Sequence, residues 1–292
     1  RLPALADPGW PEGVTKQVSD RDGTGEYLFR LRDGETVESV LMRHDYGASV
    51  CVSTQVGCRM GCGFCASTIG GMVRNLTAGE LLSQVLYINR ELGDGRVSSV
   101  VIMGSGEPLE NYDQVLKFIR CLNEKHGLNI GYRHITVSTC GVIPGIRRLA
   151  GEGLPITLSI SLHAPNDSLR SRIMPVNRKY PVADLVRVCR DYAETTGRRV
   201  TFEYVLIANF NDSAELAGEL GRLIRGMICH VNLIPANPVP EQGWKRSTAS
   251  RVNAFQKVLE DMGIEATVRR EMGADIDAAC GQLRRRSKIQ QP

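Results

Sequence analysis

Three cysteines, Cys58, Cys62 and Cys65, stand at the spacing C-x3-C-x2-C near the end of the run Cys51-Val52-Ser53-Thr54-Gln55-Val56-Gly57-Cys58-Arg59-Met60-Gly61-Cys62-Gly63-Phe64-Cys65. So compact a loop can wrap three thiolates around one inorganic cluster, and it supplies no fourth ligand nearby. A [4Fe–4S] cluster held by three thiolates leaves one iron open. A small molecule with an amino and a carboxylate group can chelate that iron and take an electron from the cluster. Two plainer readings compete. Cys62 and Cys65 make a C-x2-C half-site for zinc, and reduced cysteines commonly pack in cores as small apolar groups. No second C-x2-C or H-x3-H pair follows, so zinc lacks its other half and the cluster reading is preferred.

The rest of the composition bounds where such a loop can sit. At 292 residues, 42% of them hydrophobic, the chain can bury a sizeable core as one large α/β domain or two small ones. Disordered and fibrous classes are excluded. The first twenty residues hold no apolar run of signal-peptide length, and nowhere do eighteen apolar residues follow one another. The expectation is a soluble cytoplasmic protein that meets no membrane. Nine cysteines spread along a chain without a targeting signal point to metal or redox chemistry before disulfides. A net charge of +4 is mild, so binding to a polyanion would rest on local clusters such as Arg284, Arg285, Arg286 and Lys288.

Residues 1–24 are rich in Pro, Gly and Asp and begin without methionine, which leads us to expect that an amino-terminal portion has been removed. Glu26 to Arg32 and Thr36 to Met42 alternate apolar and polar around Asp33-Gly34, a strong hairpin signal. Ala48 to Ser53 reads as a buried strand, and Thr77-Ala78-Gly79-Glu80 is a capping box that opens a helix through Leu86. Strands are then expected at 98–103, 134–138, 155–162, 200–207, 230–234 and 264–269. Helices are expected at 112–125, 182–195, 214–225 and 250–262. Strands alternating with helices argue for a parallel sheet with helices outside, and about six such units fit a partial (βα)6 barrel preceded by a small β-hairpin.

In parallel α/β folds ligands bind at the carboxyl ends of strands. Here those ends carry Gly104-Ser105-Gly106-Glu107-Pro108, Ser138-Thr139-Cys140-Gly141, Ser161-Leu162-His163-Ala164-Pro165-Asn166-Asp167 and Asn209-Phe210-Asn211-Asp212-Ser213. Glycines let backbone approach a ligand, and Glu107 offers a carboxylate to an ammonium. Taken singly, each stretch reads equally as a turn or a helix cap. Their joint placement, the cysteine loop, Arg74-Asn75-Leu76 and Asp277-Ala278-Ala279-Cys280-Gly281-Gln282-Leu283 together resemble the RlmN/Cfr family of radical S-adenosylmethionine (SAM) RNA methyltransferases. The resemblance runs from the hairpin to Arg284 and is closer to the branch acting on adenine carbon 2 of 23S rRNA and tRNA than to the carbon-8 antibiotic-resistance branch. Ser105 and Cys140 stand where the family pattern has a larger apolar residue and a serine.

The resemblance implies a radical SAM barrel over 44–274, an accessory truncated segment over 1–43, and a carboxy-terminal loop with a basic tail over 275–292. It implies a [4Fe–4S] cluster on Cys58, Cys62 and Cys65, and SAM contacts at Gly106, Glu107, Ser138, Ser161, Leu162, His163 and Asn211. In the family scheme one SAM methylates the Cys280 sulfur, and a second is split to a 5′-deoxyadenosyl radical that takes hydrogen from that methyl group. The carbon radical adds to adenine. Glu38 then removes the carbon-2 proton, and Cys51 attacks the Cys280 sulfur, leaving a disulfide that cellular thiols reduce. The resemblance further implies a flavodoxin or ferredoxin as electron donor and a monomeric enzyme. Position alone says less: Cys51 reads as strand core, Glu38 as a solvated strand face, and Cys280 as either buried or reactive. His163 reads as a hydrogen bonder that shapes the pocket, and the basic tail as either a solvated end or a phosphate contact. A radical SAM enzyme of other substrate would not need Cys51 and Cys280 together. A non-catalytic metal- or RNA-binding module would not need Gly106 and Glu107.

Overall fold

In a computed structural model of the chain, residues 10–237, 243–270, 272–273 and 275–276 are described. The chain divides into two compact units. The first takes the described residues of Arg1–Arg59, Ala66–Val137 and Glu271–Pro292, and the second takes Met60–Cys65 and Ser138–Arg270.

The first unit begins with an antiparallel meander of β1 (Gly13–Val18), β2 (Gly25–Arg30), β3 (Thr36–His44) and β4 (Gly47–Val52). Its central turn is the expected one: Gly34 sits at φ 82°, where a side chain would be strained, and Asp33 accepts the Glu35 N–H at 3.1 Å. Short strands β5 (Gln55–Gly57) and β6 (Met72–Asn75) pair antiparallel on either side of the cysteine loop in sequence. The capping box forms at the start of α1 (Ala78–Glu91), with the Thr77 side chain accepting the Glu80 N–H at 3.2 Å and Glu80 accepting the Thr77 N–H at 2.9 Å. Beyond α1, β4 pairs in parallel with β7 (Val97–Ile102). After β7 come α2 (Tyr112–Asn123), which buries the predicted Val115, Leu116, Ile119 and Leu122, and then β8 (Ile135–Thr139), parallel to β7.

The second unit continues the alternation through α3 (Ile143–Gly151), β9 (Thr157–Ser161), α4 (Asp167–Ile173), α5 (Val182–Thr196) and β10 (Val200–Leu206). It closes with α6 (Ala214–Ile224), β11 (Cys229–Pro235), α7 (Ala249–Asp261) and β12 (Ala266–Val268). Strands β9 to β12 pair in parallel in chain order, with Ser161 opposite Glu203, Glu203 opposite Asn232 and Asn232 opposite Thr267. The expected α/β architecture is therefore present, with mostly parallel strands.

One strand reading is corrected. Alternation placed Glu38 on a solvated face, yet Val37 to Leu41 are all buried and Glu38 is only 5% exposed. A strand flanked by β2 and β4 and covered on both faces has no solvent side, and a period of two cannot reveal that.

Candidate active site

In the first unit the register Val40↔Cys51 fixes two candidate residues. Side chains directly opposite in an antiparallel pair share a face, and residues two apart along a strand do too. Glu38 and Cys51 are therefore diagonal neighbours on one sheet face. Both are buried. The opposite face carries Ser39, whose hydroxyl donates to Gln84 of α1 at 2.6 Å. Gln84 also accepts the Ser53 N–H at 3.0 Å and donates to the Ser53 carbonyl at 3.1 Å, so α1 fixes the end of β4.

The loop after β7 is held against that strand end. A Cβ on Gly104 would lie 2.7 Å from the Val52 carbonyl carbon and oxygen, and one on Gly106, at φ 110°, would lie 2.7 Å from Gln55 and Thr54 atoms. The glycines thus admit the chain's own β4 end to close range. The Ser105 carbonyl accepts from the N–H groups of Thr54 at 2.8 Å and Gln55 at 3.1 Å. Gln55 in turn accepts the Glu107 N–H at 2.9 Å. Glu107 is 2% exposed, and its carboxylate accepts the Leu109 N–H at 3.0 Å. Gln55 and Ser53, inside the cysteine-bearing run, are positioning residues that the sequence reading passed over.

In the second unit, Ser138 is buried on β8, Ser161 is half-buried at the end of β9, and Leu162 and His163 follow it inside. His163 has a left-handed backbone at φ 60°, and its Nδ1 accepts the Val205 N–H at 3.0 Å. Burial, with the neighbouring Arg170 charge, holds its pKa down to about 3, so the ring is neutral. The Asn211 amide donates to the carbonyls of His163 at 2.8 Å and Val205 at 2.6 Å, and accepts the Ile207 N–H at 2.8 Å. Its side chain is committed to backbone, which suits shaping a pocket better than reaching into one. Asn166 and Ser213 act as helix caps of α4 and α6, the plainer of their two readings.

The cysteine loop itself turns at Gly61, φ 70°, and the Cys65 N–H donates to the Cys62 carbonyl at 3.1 Å. Its second-unit part is anchored by the Gly63 N–H on the Ile173 carbonyl at 2.8 Å, by Trp244 on the Gly63 carbonyl at 2.6 Å, and by Phe64 meeting the His163 ring edge-on. Cys58 and Cys62 are buried and Cys65 half-buried. Among the described residues no three metal-ligating side chains are gathered at one point. Fit to iron therefore rests on the donor set: three thiols on one short loop, two of them buried and one half-buried, suit a cluster with an open iron. Cys280, and with it the disulfide expected with Cys51, lies outside the described residues, as does the basic tail. The chain approaching it is tied to the β1–β2 turn: Ser19 donates to Asp275 at 2.6 Å, and the Gly273 N–H donates to Asp22 at 2.9 Å.

Among the described residues no helix is long and apolar enough to cross a membrane. Residues 52–219 match the model of the radical SAM superfamily, whose members use a [4Fe–4S] cluster and SAM. A probable dual-specificity RNA methyltransferase RlmN from Pelotomaculum thermopropionicum is 61% identical over 290 residues, covering 99% of this chain and 78% of that protein. One of the same name from Symbiobacterium thermophilum is 61% identical over 95% of this chain and 75% of its own length. The crystal structure of a radical SAM methyltransferase from Sphaerobacter thermophilus superposes with a TM-score of 0.90 at 49% identity, covering 94% of this chain and 81% of that one. Sequence, fold and relatives agree, and the chain belongs to the RlmN family of radical SAM RNA methyltransferases.

Proposed function

We propose that this chain methylates carbon 2 of adenosine in 23S rRNA and in tRNA, through a methyl group carried on Cys280. The observation that carries the reading is the diagonal pairing of Glu38 and Cys51 on one face of the β3–β4 sheet. Carbon 2 of adenine is electron-poor and has no acidic proton to exploit, so direct displacement on SAM cannot methylate it. Bound cluster and SAM supply the radical chemistry that this carbon requires, with two SAM consumed per turnover. Once the Cys280 methyl carbon has joined the ring, enzyme and RNA share a thioether that hydrolysis does not open. A base and a thiol are then needed together. Glu38 takes the carbon-2 proton, the adduct's unpaired electron would pass back to the bound cluster, and the Cys51 thiolate attacks the Cys280 sulfur. The sulfur–carbon bond breaks, the freed carbon takes a proton to become the methyl group of the RNA adenosine, and the disulfide formed is reduced by cellular thiols.

The remaining residues bind and position. Cys58, Cys62 and Cys65 hold the cluster. Glu107 receives the SAM ammonium beside Gly106, and Ser138, Ser161 and Leu162 line the cofactor, with His163 and Asn211 bracing that wall. The target adenine is unstacked to meet the methyl group, which favours loops of rRNA and tRNA over duplex. The enzyme works in the cytoplasm as a monomer, with 44–274 as its core and 275–292 bringing Cys280, and takes electrons from a flavodoxin or ferredoxin. Cys51→Ala co-produced with RNA tests the scheme on a denaturing gel. A nuclease-sensitive shifted band is expected. Free protein with methylated RNA would eliminate Cys51 as the resolving thiol.

A further inference from the structure

Helix α4 carries a buried charge that none of these roles uses. Arg170 is fully buried, and its guanidinium donates through Nε to the Leu162 carbonyl at 3.0 Å and through Nη1 to the Asn177 side-chain oxygen at 3.0 Å. Nη2 donates to the carbonyls of Cys140 at 2.7 Å and Ser161 at 3.0 Å. All four acceptors are neutral, and among the described residues no carboxylate pairs with Arg170. A guanidinium does not give up its proton in proteins, and a buried charge is costly unless an opposite charge lies near. Such a cation favours any negative charge placed beside it.

What lies beside it is the second unit's part of the cysteine loop. Ile173, one turn along α4 from Arg170, accepts the Gly63 N–H, and a methyl group on Gly61 would meet Pro175 at 3.4 Å. Cys62 packs in one buried cluster with Cys140, Ile173 and Met174. Burial disfavours the charged guanidinium, and the opposing influences are, in order, the sulfurs of Cys140 and Cys62 and then the Asp167 carboxylate, which Asn177 holds at 2.9 Å.

We propose that Arg170 is a positioning residue whose buried charge, bonded directly to neutral acceptors alone, offsets the anionic thiolate-ligated cluster on the Cys62 side and so sets its reduction potential. Reduction adds one electron and one negative charge, which a fixed buried cation favours. The inference rests on the assignment of the cluster to Cys58, Cys62 and Cys65; iron and sulfide analysis of the unmodified chain tests that assignment separately.

The test is a dithionite titration of the anaerobically reconstituted full chain, with the potential read from the visible spectrum or from electron paramagnetic resonance. Arg170→Met removes the charge, and Asn177→Asp places a carboxylate against the guanidinium; Asn177→Ala, expected to leave the potential unchanged, controls for loss of the Nδ2 bonds to Asp167 at 2.9 Å and Ser171 at 2.8 Å. At unchanged iron and sulfide per chain, Arg170→Met and Asn177→Asp are expected to move the potential to a more negative value. Arg170→Lys keeps the charge but loses the fork, and its potential is expected to stay near that of the unmodified chain. A purely structural arginine gives the opposite order, with Lys shifting the potential as far as Met and Asn177→Asp leaving it alone, and that result overturns the proposal. Should Arg170→Met not fold, Asn177→Asp and Arg170→Lys decide between the two.

Discussion

His163 shows how a single residue can be fixed by what surrounds it. Its ring stands edge-on to Phe64 with centroids 4.6 Å apart, its Nδ1 is occupied by the Val205 N–H, and its pKa lies at about 3 instead of the usual 6.5. Above pH 6.5 the folded and unfolded chains both hold a neutral imidazole. Below it the unfolded chain takes a proton that the folded chain refuses, so stability falls by ~1.4 kcal/mol per pH unit down to the folded pKa. His163→Asn tolerates the left-handed backbone and has nothing to titrate. Thermal unfolding of the two proteins between pH 7 and 5 should therefore show the unmodified chain losing stability faster, and parallel pH profiles would contradict a buried neutral ring. Gly104 makes a second prediction at this scale. Gly104→Ala drives a methyl group into the Val52 backbone, which cannot rotate away, and overpacking of this kind costs ~1–3 kcal/mol. Because the same loop carries Gly106 and Glu107, SAM affinity measured by calorimetry should fall with stability, whereas unchanged SAM affinity would detach the loop from the cofactor.

At the scale of elements, the start of α1 concentrates several interactions in four residues. Glu80 closes the capping box and also receives a bidentate pair from Arg74, at 2.8 and 3.0 Å, while Arg74 reaches Asp33 of the β2–β3 turn at 2.6 Å. Burial pushes the Glu80 carboxyl up, but Arg74 and Thr77 outweigh it and hold the group below its ordinary value. Thr77→Ala should cost ~1 kcal/mol in urea unfolding, as lost caps do, and Glu80→Ala should cost more because it breaks both contacts. Equal losses would mean that the Arg74 pair contributes nothing. This helix start was legible because a capping box is a local pattern with one structural meaning. Other elements were not. β1 is a half-exposed edge strand without alternation, β5, β6 and α4 are too short for a period, and α3 carries a proline and two glycines that count against a helix. α3 forms because Pro144 falls in its first turn and Ile143, Ile146 and Leu149 find a buried face.

Over the whole molecule, what could be read were the strand ends and the loop between β5 and β6, since chemistry-bearing residues there interrupt an otherwise regular α/β pattern. What could not be read was which of them face one another. The burial of Glu38, its placement beside Cys51, and the use of Gly104 for chain packing all depend on register and on partner strands far away in sequence. Arg170 left no signal at all, because one arginine in a short helix reads as a solvent-facing residue. The same separation of core from chemistry yields a test of the cluster. The apolar cores lie chiefly in strands and helices of both units, and the cysteine loop adds the small buried Cys58 and Cys62, with Met60, Phe64 and Cys65 partly buried against the Cys62 cluster. Cys62→Ala should therefore cost ~1 kcal/mol, a typical value for one core substitution, and lower the melting temperature of the metal-free chain by a few degrees. Far-UV circular dichroism should be preserved, while iron content and SAM cleavage are lost. Cys189, fully buried in α5 with its thiol pKa raised by burial, is the matched control. Cys189→Ala should carry a comparable stability loss and retain iron. If instead Cys62→Ala keeps its full iron and still cleaves SAM, the loop does not hold the cluster, whatever the fate of the fold.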